Sequence, residues 1–450
     1  MSNFRPINRD TGFLLPPSVD EWLPQRHLAR FVVEVIDRLD LSELEKAYRG
    51  SGSASYHPAM LLSLLVYGYA TKVFSSRALE RATYDSVAFR FIAGNEHPDH
   101  DTIAAFRKRF LAHVQELFVE VLKVARTMGM LKLGTVALDG TKVHANASRH
   151  SALSYGHAKK LEKQLKKEVQ QLLRLAEQAD GVNVPDGMSI PEELERRELR
   201  LAAIAEAKAK IEERTHEREQ AAYQQKLASR VERQQRTGKK PRGRPPDPPS
   251  GGVSAKEQIN LTDEDSRIMP LPGGGFDQSY NAQAVVSSGS LLVVASAVTQ
   301  AANDKGQLAP MLNKLRALPK ALGRTRRLLA DSGYLSEANV ECCAAAGVEP
   351  LIALGRQRHH RSWRARFAAA PKAPGPRATA LQRMVHRLKT PAGRKLYALR
   401  KQTPEPVFGI IKSVMGFRQF LLRGLPNVQG EWNLVTMSWN LRRMFALQPG

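Results

Sequence analysis

The 450-residue sequence contains only two cysteines, Cys342 and Cys343, and they are adjacent. Adjacent cysteines are poorly placed for a structural disulfide, and two thiols alone do not make a metal cluster. Long apolar runs are also missing, since the most apolar stretches, Met60 to Tyr69 and Leu291 to Val298, are well short of the roughly 20 residues of a membrane span. The first residues lack the pattern of an export signal. We therefore expect a cytoplasmic protein with no membrane segment.

Acidic residues are scarce relative to basic ones. The chain has 68 Lys and Arg against 44 Asp and Glu, a formal net charge of +24. Between Arg356 and Lys401 there are 14 Lys or Arg and no acidic residue at all. A chain with this balance binds polyanions. Trp363 lies in the same basic stretch, where stacking on a nucleic-acid base and packing inside the protein are both open interpretations.

Residues 1–130 are predicted to form a helical N-terminal domain. Pro58 stands where a first helical turn accepts proline, and apolar residues follow it at helical spacing. Ser75 or the serine after it is predicted to cap a helix that continues through Phe91, and Asp101 to cap the next one. Basic residues at the edges of this domain favour DNA binding through a helix, while packing or dimerisation explains the same pattern equally well.

A charged helical insertion is predicted for residues 153–255. From Leu153 to about Arg236 leucines and isoleucines recur three, four or seven residues apart, which indicates a helical hairpin interrupted near residues 180–191. A structural insertion and a dimer interface both fit it. The basic Pro/Gly-rich linker that follows contains KKPRGRPP, which resembles an AT-hook in which Arg242 and Arg244 enter a narrow minor groove; a plain basic linker is the alternative.

Residues 131–152 and 256–450 alternate strand and helix patterns. The short β-rich run TVAL ends at Asp139, another strand ends at Asp331, and Glu405 opens a late helix whose apolar residues share one face. Residues 280–298 predict a β-hairpin. Since hard divalent ions bind carboxylate oxygens, acidic residues from separate elements that converge in space are suited to phosphoryl transfer.

Several motifs together resemble the bacterial insertion-sequence DDE transposases, in the IS-four/IS-five-like group. They are LDGTKVHANAS, LTDEDSRIM, QSYNAQAVV, LLADSGYLSE and YALRKQTPEPVFGIIK. The last resembles the family's tyrosine, arginine, glutamate, lysine motif through Tyr397, Arg400, Glu405 and Lys412. The resemblance covers nearly the whole chain. It implies an α/β fold with a ribonuclease-H-like mixed-sheet catalytic domain, a helical insertion and a preceding all-α domain.

The same resemblance implies that Asp139, Asp331 and Glu405 are catalytic residues that ligate Mg²⁺, with Mn²⁺ as the alternative ion. Water or a 3′-hydroxyl then attacks phosphorus without a covalent protein intermediate, so Tyr397 is assigned to DNA contact rather than to attack. Arg400 stands five residues before the glutamate, where a common form of the motif has four. Lys401 meets that spacing, so both are candidate DNA contacts, together with Lys412.

Other acidic residues compete for these roles. Asp304, Asp263 and Asp265 are rivals of Asp331, because each also suits a helix cap or an ion pair. Glu405 is equally suited to complement the dipole of its helix. The histidines lack the spacing of a zinc site.

The predicted function is that of a DNA transposase that binds the terminal inverted repeats of its insertion sequence, cuts them with a divalent metal ion and joins them to target DNA. Double-stranded DNA and a homo-oligomeric synaptic complex are the predicted partners. A nuclease on the same core and a catalytically silent DNA-binding protein derived from a transposase are the alternatives.

Overall fold

The computed structural model describes residues 18–48, 55–177, 189–238, 243–249, 251–271, 273–355 and 372–448. The chain divides into two compact units, one made of residues 1–144 and 279–450 and the other of residues 145–278. Among the helices in these described ranges, none has the length and apolar character needed to cross a membrane.

The bounds of the helices and strands are as follows. The N-terminal helices are α1 Val19–Trp22, α2 Leu28–Ile36, α3 Ser42–Lys46, α4 Pro58–Ala70, α5 Ser76–Asp85, α6 Val87–Ile92, α7 His100–Phe110 and α8 Val114–Thr127. The strands are β1 Thr135–His144, β2 Ala152–Ser154, β3 Gln258–Asn260, β4 Arg267–Pro270, β5 Phe276–Ser287, β6 Val293–Thr299, β7 Arg327–Ala330 and β8 Glu349–Ile352. The later helices are α9 Tyr155–Glu177, α10 Ile190–Thr237, α11 Leu308–Ala317, α12 Glu337–Ala345, α13 Ala380–Lys389, α14 Pro391–Ala398, α15 Pro404–Ser413 and α16 Leu425–Leu447.

Local capping explains where the N-terminal helices begin, and it corrects two predictions. Pro58 is the first residue of α4, as predicted. The helix expected from Ser75 through Phe91 is instead two helices, because the extended backbone of Ser86 ends α5 before α6 begins. The cap of α7 is Asp99, whose side chain accepts a hydrogen bond from the backbone N–H of Thr102, so Asp101 lies in the first turn rather than at the cap.

The sheet of the first unit has a mixed topology that confirms the predicted ribonuclease-H-like α/β class. Strand β1 pairs antiparallel with β5, which pairs antiparallel with β6. On its other side β1 pairs parallel with β7, and β7 pairs parallel with β8. Strand β4 also pairs with β5, whose first three residues belong to the same unit as β4. The order β6-β5-β1-β7-β8 puts β1 in the middle, with neighbours on both edges.

Helix α16 forms the centre of the first unit. It packs against β6 and against α2, α4 and α8, so it is buried around most of its circumference. Its amide side chains hydrogen-bond the backbone of β6: Asn440 accepts from Val293 N at 2.8 Å and donates to Val293 O at 2.8 Å, and Gln429 accepts from Val298 N at 2.8 Å. Edge strands expose unpaired backbone groups. These contacts satisfy part of that edge and join the N-terminal helices to the sheet in one unit.

The second unit contains the helical hairpin and three strands. Helices α9 and α10 pack against each other, and β2 pairs antiparallel with β3. The core of this unit consists of Leu153, Tyr155, Ala158, Leu165, Ile204, Ala207, Ile211 and Ile259. Leucine and isoleucine positions of the predicted repeat, among them Leu165 and Ile211, are therefore the residues that hold the hairpin together. The compact unit is wider than the predicted insertion of residues 153–255, since it includes the strands on both sides.

Candidate active site

The three predicted acidic residues come from three separate elements of the first unit. Asp331 directly follows β7, and Glu405 lies in the first turn of α15. Asp139 lies inside β1, which continues to His144, whereas the sequence predicted that the strand ends at the aspartate. In the parallel pair of β1 and β7, Ala137 is the partner of Leu329. Each aspartate is two residues beyond those partners, so the two are brought to the same place on neighbouring strands.

One guanidinium group contacts all three carboxylates. Arg400 Nη1 lies 2.9 Å from Glu405 Oε1, and Nη2 lies 3.5 Å from Asp139 Oδ2 and 3.8 Å from Asp331 Oδ2. The side chain of Arg400 is 12% exposed and that of Asp139 15%, while Asp331 and Glu405 are 38% and 52% exposed. Within the described part of the chain, the buried Nε of Arg400 has no hydrogen-bond partner. Around this single shared cation, Asp139 is therefore mostly buried and Glu405 is half exposed.

Burial raises the pKa of the Asp139 carboxyl to about 7, and Arg400 opposes that shift. The negative charges of Asp331 and Asp304 raise it further, while a backbone hydrogen bond from Gly140 lowers it. That bond joins Gly140 N to Asp139 Oδ1 at 2.9 Å. A buried carboxyl with a raised pKa has too little positive charge around it to stabilise its ionised form. A further cation at this place would lower its pKa.

The donor set of the cluster suits a hard divalent ion. Carboxylate oxygens are the ligands that Mg²⁺ and Mn²⁺ prefer. Among the residues that the structure describes, however, no three side chains of His, Cys, Asp or Glu approach closely enough to chelate one ion. The guanidinium of Arg400 lies among the three carboxylates instead. The residues therefore fit a metal ion by their chemistry, and chelation requires Arg400 to withdraw from between them.

The two basic residues that competed for one role in the sequence have different surroundings. Arg400 lies among the acidic side chains, whereas Lys401 is exposed beside it. The hydroxyl of Tyr397 donates to Ala330 O at 3.3 Å, one residue before Asp331. Lys412 Nζ donates to Lys142 O on β1 at 2.7 Å. Tyr397 thus contacts the end of β7, directly before Asp331, and Lys412 contacts β1, which carries Asp139. The DNA contacts predicted for all four residues stay predictions.

Several other predicted DNA contacts lie outside the described residues. Arg242, Trp363 and the basic residues at positions 356–366 are outside them. Arg244 is described; its side chain is exposed and forms an ion pair of 3.0 Å with Asp247. The AT-hook and the basic channel therefore stay predictions.

Three further polar side chains lie near the cluster. The sequence pattern indicated only Asp304, as a rival for a catalytic role, and did not indicate Asn281 and Gln283. Asp304, which competed with Asp331 for a catalytic role, lies at the same cluster as Asp331. Asn281 Nδ2 and Gln283 Nε2 each donate to Asp304 Oδ1 at 2.7 Å. Both amides come from β5, where they are fully buried. The available signal was their spacing, because polar side chains at alternate positions of a buried strand share one face.

Two family models match the chain. A transposase domain (DUF772) matches residues 17–109, the region of the N-terminal helices, and a transposase DDE domain matches residues 258–441. The second range contains Asp331 and Glu405, while Asp139 precedes it. Searches of curated proteins and of solved structures gave no match.

Both matched ranges coincide with the elements described above: the helices before the sheet, and the strands and helices that carry two of the three acidic residues. DDE transposases are phosphoryl-transfer enzymes that bind DNA and typically use a divalent metal ion. With an N-terminal transposase domain, a DDE domain and a mixed ribonuclease-H-like sheet, the chain belongs to the DDE transposases of insertion sequences.

Proposed function

We propose that this transposase binds the terminal inverted repeats of its own insertion sequence, cuts the DNA strands there and joins the freed ends to target DNA in the presence of Mg²⁺. The observation that carries the proposal is the gathering of Asp139, Asp331 and Glu405 around Arg400. Three carboxylates from separate elements are held together around one cation, and those of Asp331 and Glu405 are 38% and 52% exposed.

In this proposal Asp139, Asp331 and Glu405 hold the divalent ion, which supplies Lewis-acid stabilisation of the attacking and leaving oxygens of the phosphodiester. Arg400 neutralises the carboxylates before the ion binds. Once withdrawn, its guanidinium is free to contact a DNA phosphate, as Lys401 is from its exposed position. Tyr397 keeps Ala330, and so the start of the Asp331 turn, in place.

Joining two ends of one element requires that both ends be held together. We therefore propose a homo-oligomer in the synaptic complex. We also propose that the transposase belongs to the IS-four/IS-five-like group. The N-terminal helices pack on α16 beside the sheet, which favours a role in holding the unit together as well as any contact with the repeats.

The test is cleavage and joining of DNA that carries the element's own ends, with Mg²⁺ present. Wild type is compared with Asp139→Asn, Asp331→Asn and Glu405→Gln, while binding to the same DNA is measured separately. Each variant keeps its side-chain size and loses one negative charge. We expect each to reduce the rate of cleavage at least about a thousandfold, about 4 kcal/mol in activation free energy, with DNA binding retained.

Glu337→Gln is the matched control, because it removes the same charge from an exposed residue in the first turn of α12, six residues after Asp331. It is expected to cut and join as wild type does. Cleavage without joining would identify a nuclease on the same core. A wild type that binds the repeats and cuts nothing would identify a silent DNA-binding derivative, and either result would overturn the proposal.

A further inference from the structure

A fourth carboxylate, Asp304, lies beside the three acidic residues. It is in the turn between β6 and α11, and its Oδ1 accepts two hydrogen bonds of 2.7 Å, from Asn281 Nδ2 and Gln283 Nε2. Both donors are fully buried side chains of β5. The carboxylate is thus fixed in one orientation by two rigid partners on the central sheet.

The orientation of the Gln283 amide is itself fixed. Gln283 Oε1 accepts a hydrogen bond from the hydroxyl of Tyr334, and the backbone carbonyl of Gln283 accepts one from Trp432 Nε1 at 3.0 Å. Tyr334 ends the short 3₁₀ turn that follows Asp331. Since the amide oxygen is taken by Tyr334, its nitrogen must face Asp304. One chain of contacts therefore links the turn of Asp331 to the orientation of Asp304.

Two glycines lie near Asp304: Gly140, directly after Asp139, and Gly333, two residues after Asp331. A Cβ added to Gly140 would lie 2.7 Å from Asp304 Oδ1 and 2.2 Å from Gln283 Nε2. A Cβ added to Gly333 would lie 3.0 Å from Asp331 Oδ1 and 3.7 Å from Asp304 Oδ2. A side chain at Gly140 would clash with Asp304, whereas one at Gly333 would be tight against Asp331 and in ordinary contact with Asp304. The close approach of Asp304 and Gln283 therefore explains why glycine directly follows Asp139.

No counter-ion accounts for the charge of Asp304. Both amide donors bind Oδ1, and within the described ranges Oδ2 accepts no hydrogen bond and the carboxylate forms no ion pair. Lys142 interacts with Asp304 electrostatically, but within the described residues the two form no ion pair. Burial lowers the pKa of Lys142, and attraction to Asp304 only opposes that shift. Oδ2, the oxygen on the side of Gly333, is therefore the oxygen of Asp304 that is left to bind a cation.

We propose that Asp304 is a fourth carboxylate of the divalent-metal centre, in which it binds the cation together with Asp331 and Asp139. The inference rests on the function proposed above, because it assigns a further residue to the same centre. It also gives the amides of Asn281 and Gln283 a role, which is to hold one oxygen of Asp304 so that the other faces the aspartates.

The test measures Mn²⁺ binding to the full-length protein by the loss of the free-ion electron paramagnetic resonance signal, without DNA and without turnover. Asp304→Asn is the informative variant, because its Oδ1 still accepts both amide hydrogen bonds while the second oxygen and the charge are lost. We expect its Mn²⁺ dissociation constant to rise at least about tenfold. Its thermal unfolding midpoint in a chelator is expected to be no lower than that of wild type.

Unchanged Mn²⁺ affinity in Asp304→Asn overturns the inference. If that variant does not fold, Asp304→Ser removes the same charge with a smaller side chain and is judged by the same outcome. Glu337→Gln controls for loss of an exposed charge and should bind Mn²⁺ as wild type does. Asp139→Asn and Glu405→Gln are measured in parallel: if they weaken binding and Asp304→Asn does not, only this inference fails, whereas unchanged binding in all three rejects the metal centre itself.

Discussion

Glu431 and Asp139 are both acidic residues below the surface of the same compact unit, and they differ in what surrounds them. Glu431, on α16, accepts hydrogen bonds from the Tyr69 hydroxyl at 2.7 Å and from the backbone N–H groups of Leu421 and Leu422 at 3.0 and 3.1 Å. Asp139 has one backbone donor and a 3.5 Å contact with an arginine that it shares with two other carboxylates.

The difference separates a carboxylate whose hydrogen bonds stabilise the fold from carboxylates that we propose bind a metal ion. Burial raises the pKa of Glu431, and its donors oppose that shift. Around Asp139 the neighbouring Asp331 and Asp304 add repulsion to the effect of burial. Removing the first carboxylate should destabilise the protein, and removing the second should stabilise the metal-free protein. Functional sites commonly retain such unfavourable charge because the ligand needs it.

The largest effect is expected for Glu431→Ala. The buried Tyr69 hydroxyl and the partly buried N–H groups of Leu421 and Leu422 lose the acceptor that they share, so we expect the free energy of unfolding to fall by about 3–5 kcal/mol. Urea denaturation in the presence of a chelator measures it. Tyr69→Phe removes one donor and keeps the carboxylate, and should cost about 1 kcal/mol. A loss below about 1 kcal/mol in Glu431→Ala would show that the Glu431 carboxylate does not stabilise the fold as this comparison requires.

Asp139→Asn is expected to change stability in the opposite direction. A carboxyl whose pKa is raised by folding destabilises the folded state once it is ionised, so the cost is present above pH 7 and disappears as the pH falls from about 7 towards about 4. At about pH 8 with a chelator, we expect the variant to be about 2 kcal/mol more stable than wild type. At about pH 5 the gain should be much smaller. A less stable variant at the higher pH would mean that Asp139 is structurally satisfied.

Arg400→Gln removes the cation that the carboxylates share. In a chelator, renewed repulsion among Asp139, Asp331 and Glu405 should lower the free energy of unfolding by about 1 kcal/mol. Mn²⁺ should bind several-fold more tightly, since the ion no longer competes with a guanidinium. Lys401→Gln, which removes the same charge from the adjacent exposed residue, is the control and should change neither quantity. Weaker Mn²⁺ binding in Arg400→Gln would show that the arginine supports the ion rather than competes with it.

The smallest effect on stability is expected for Glu405→Gln. Its carboxylate is 52% exposed, and its ion pair with Arg400 is therefore worth little. We expect a change within about 0.5 kcal/mol by the same denaturation measurement. A larger loss would place Glu405 with Glu431 as a residue that holds the fold.

Regular local patterns made much of this fold predictable. The hairpin expected at residues 280–298 is formed by β5 and β6, and the strand expected to end at Asp331 is β7, which ends at Ala330 directly before it. Helices α13 and α14 were missed because the stretch was interpreted only as a basic run, although Leu381, Met384 and Leu388 recur at helical spacing and a capping box at Thr379 marks the start of α13. The last helix, α16, begins at Leu425, where proline is accepted in the first turn.

The sequence by itself determined the class of protein and the chemistry it is suited to. Helical and strand periodicity, the excess of basic residues and the motifs around Asp139, Asp331 and Glu405 are all local properties of the chain. Each of these properties can be recognised from the order of the residues, without knowledge of the fold.

Only the tertiary structure decided which residues meet. The contacts of Arg400 with three carboxylates, and of Asp304 with Asn281 and Gln283, depend on strand register and on the position of a turn. Spacing in the sequence left Arg400 and Lys401 open, because one residue of difference along a turn changes which side chain faces inward. Distances between distant segments are set by packing of the sheet and α16, and no short stretch of sequence contains them.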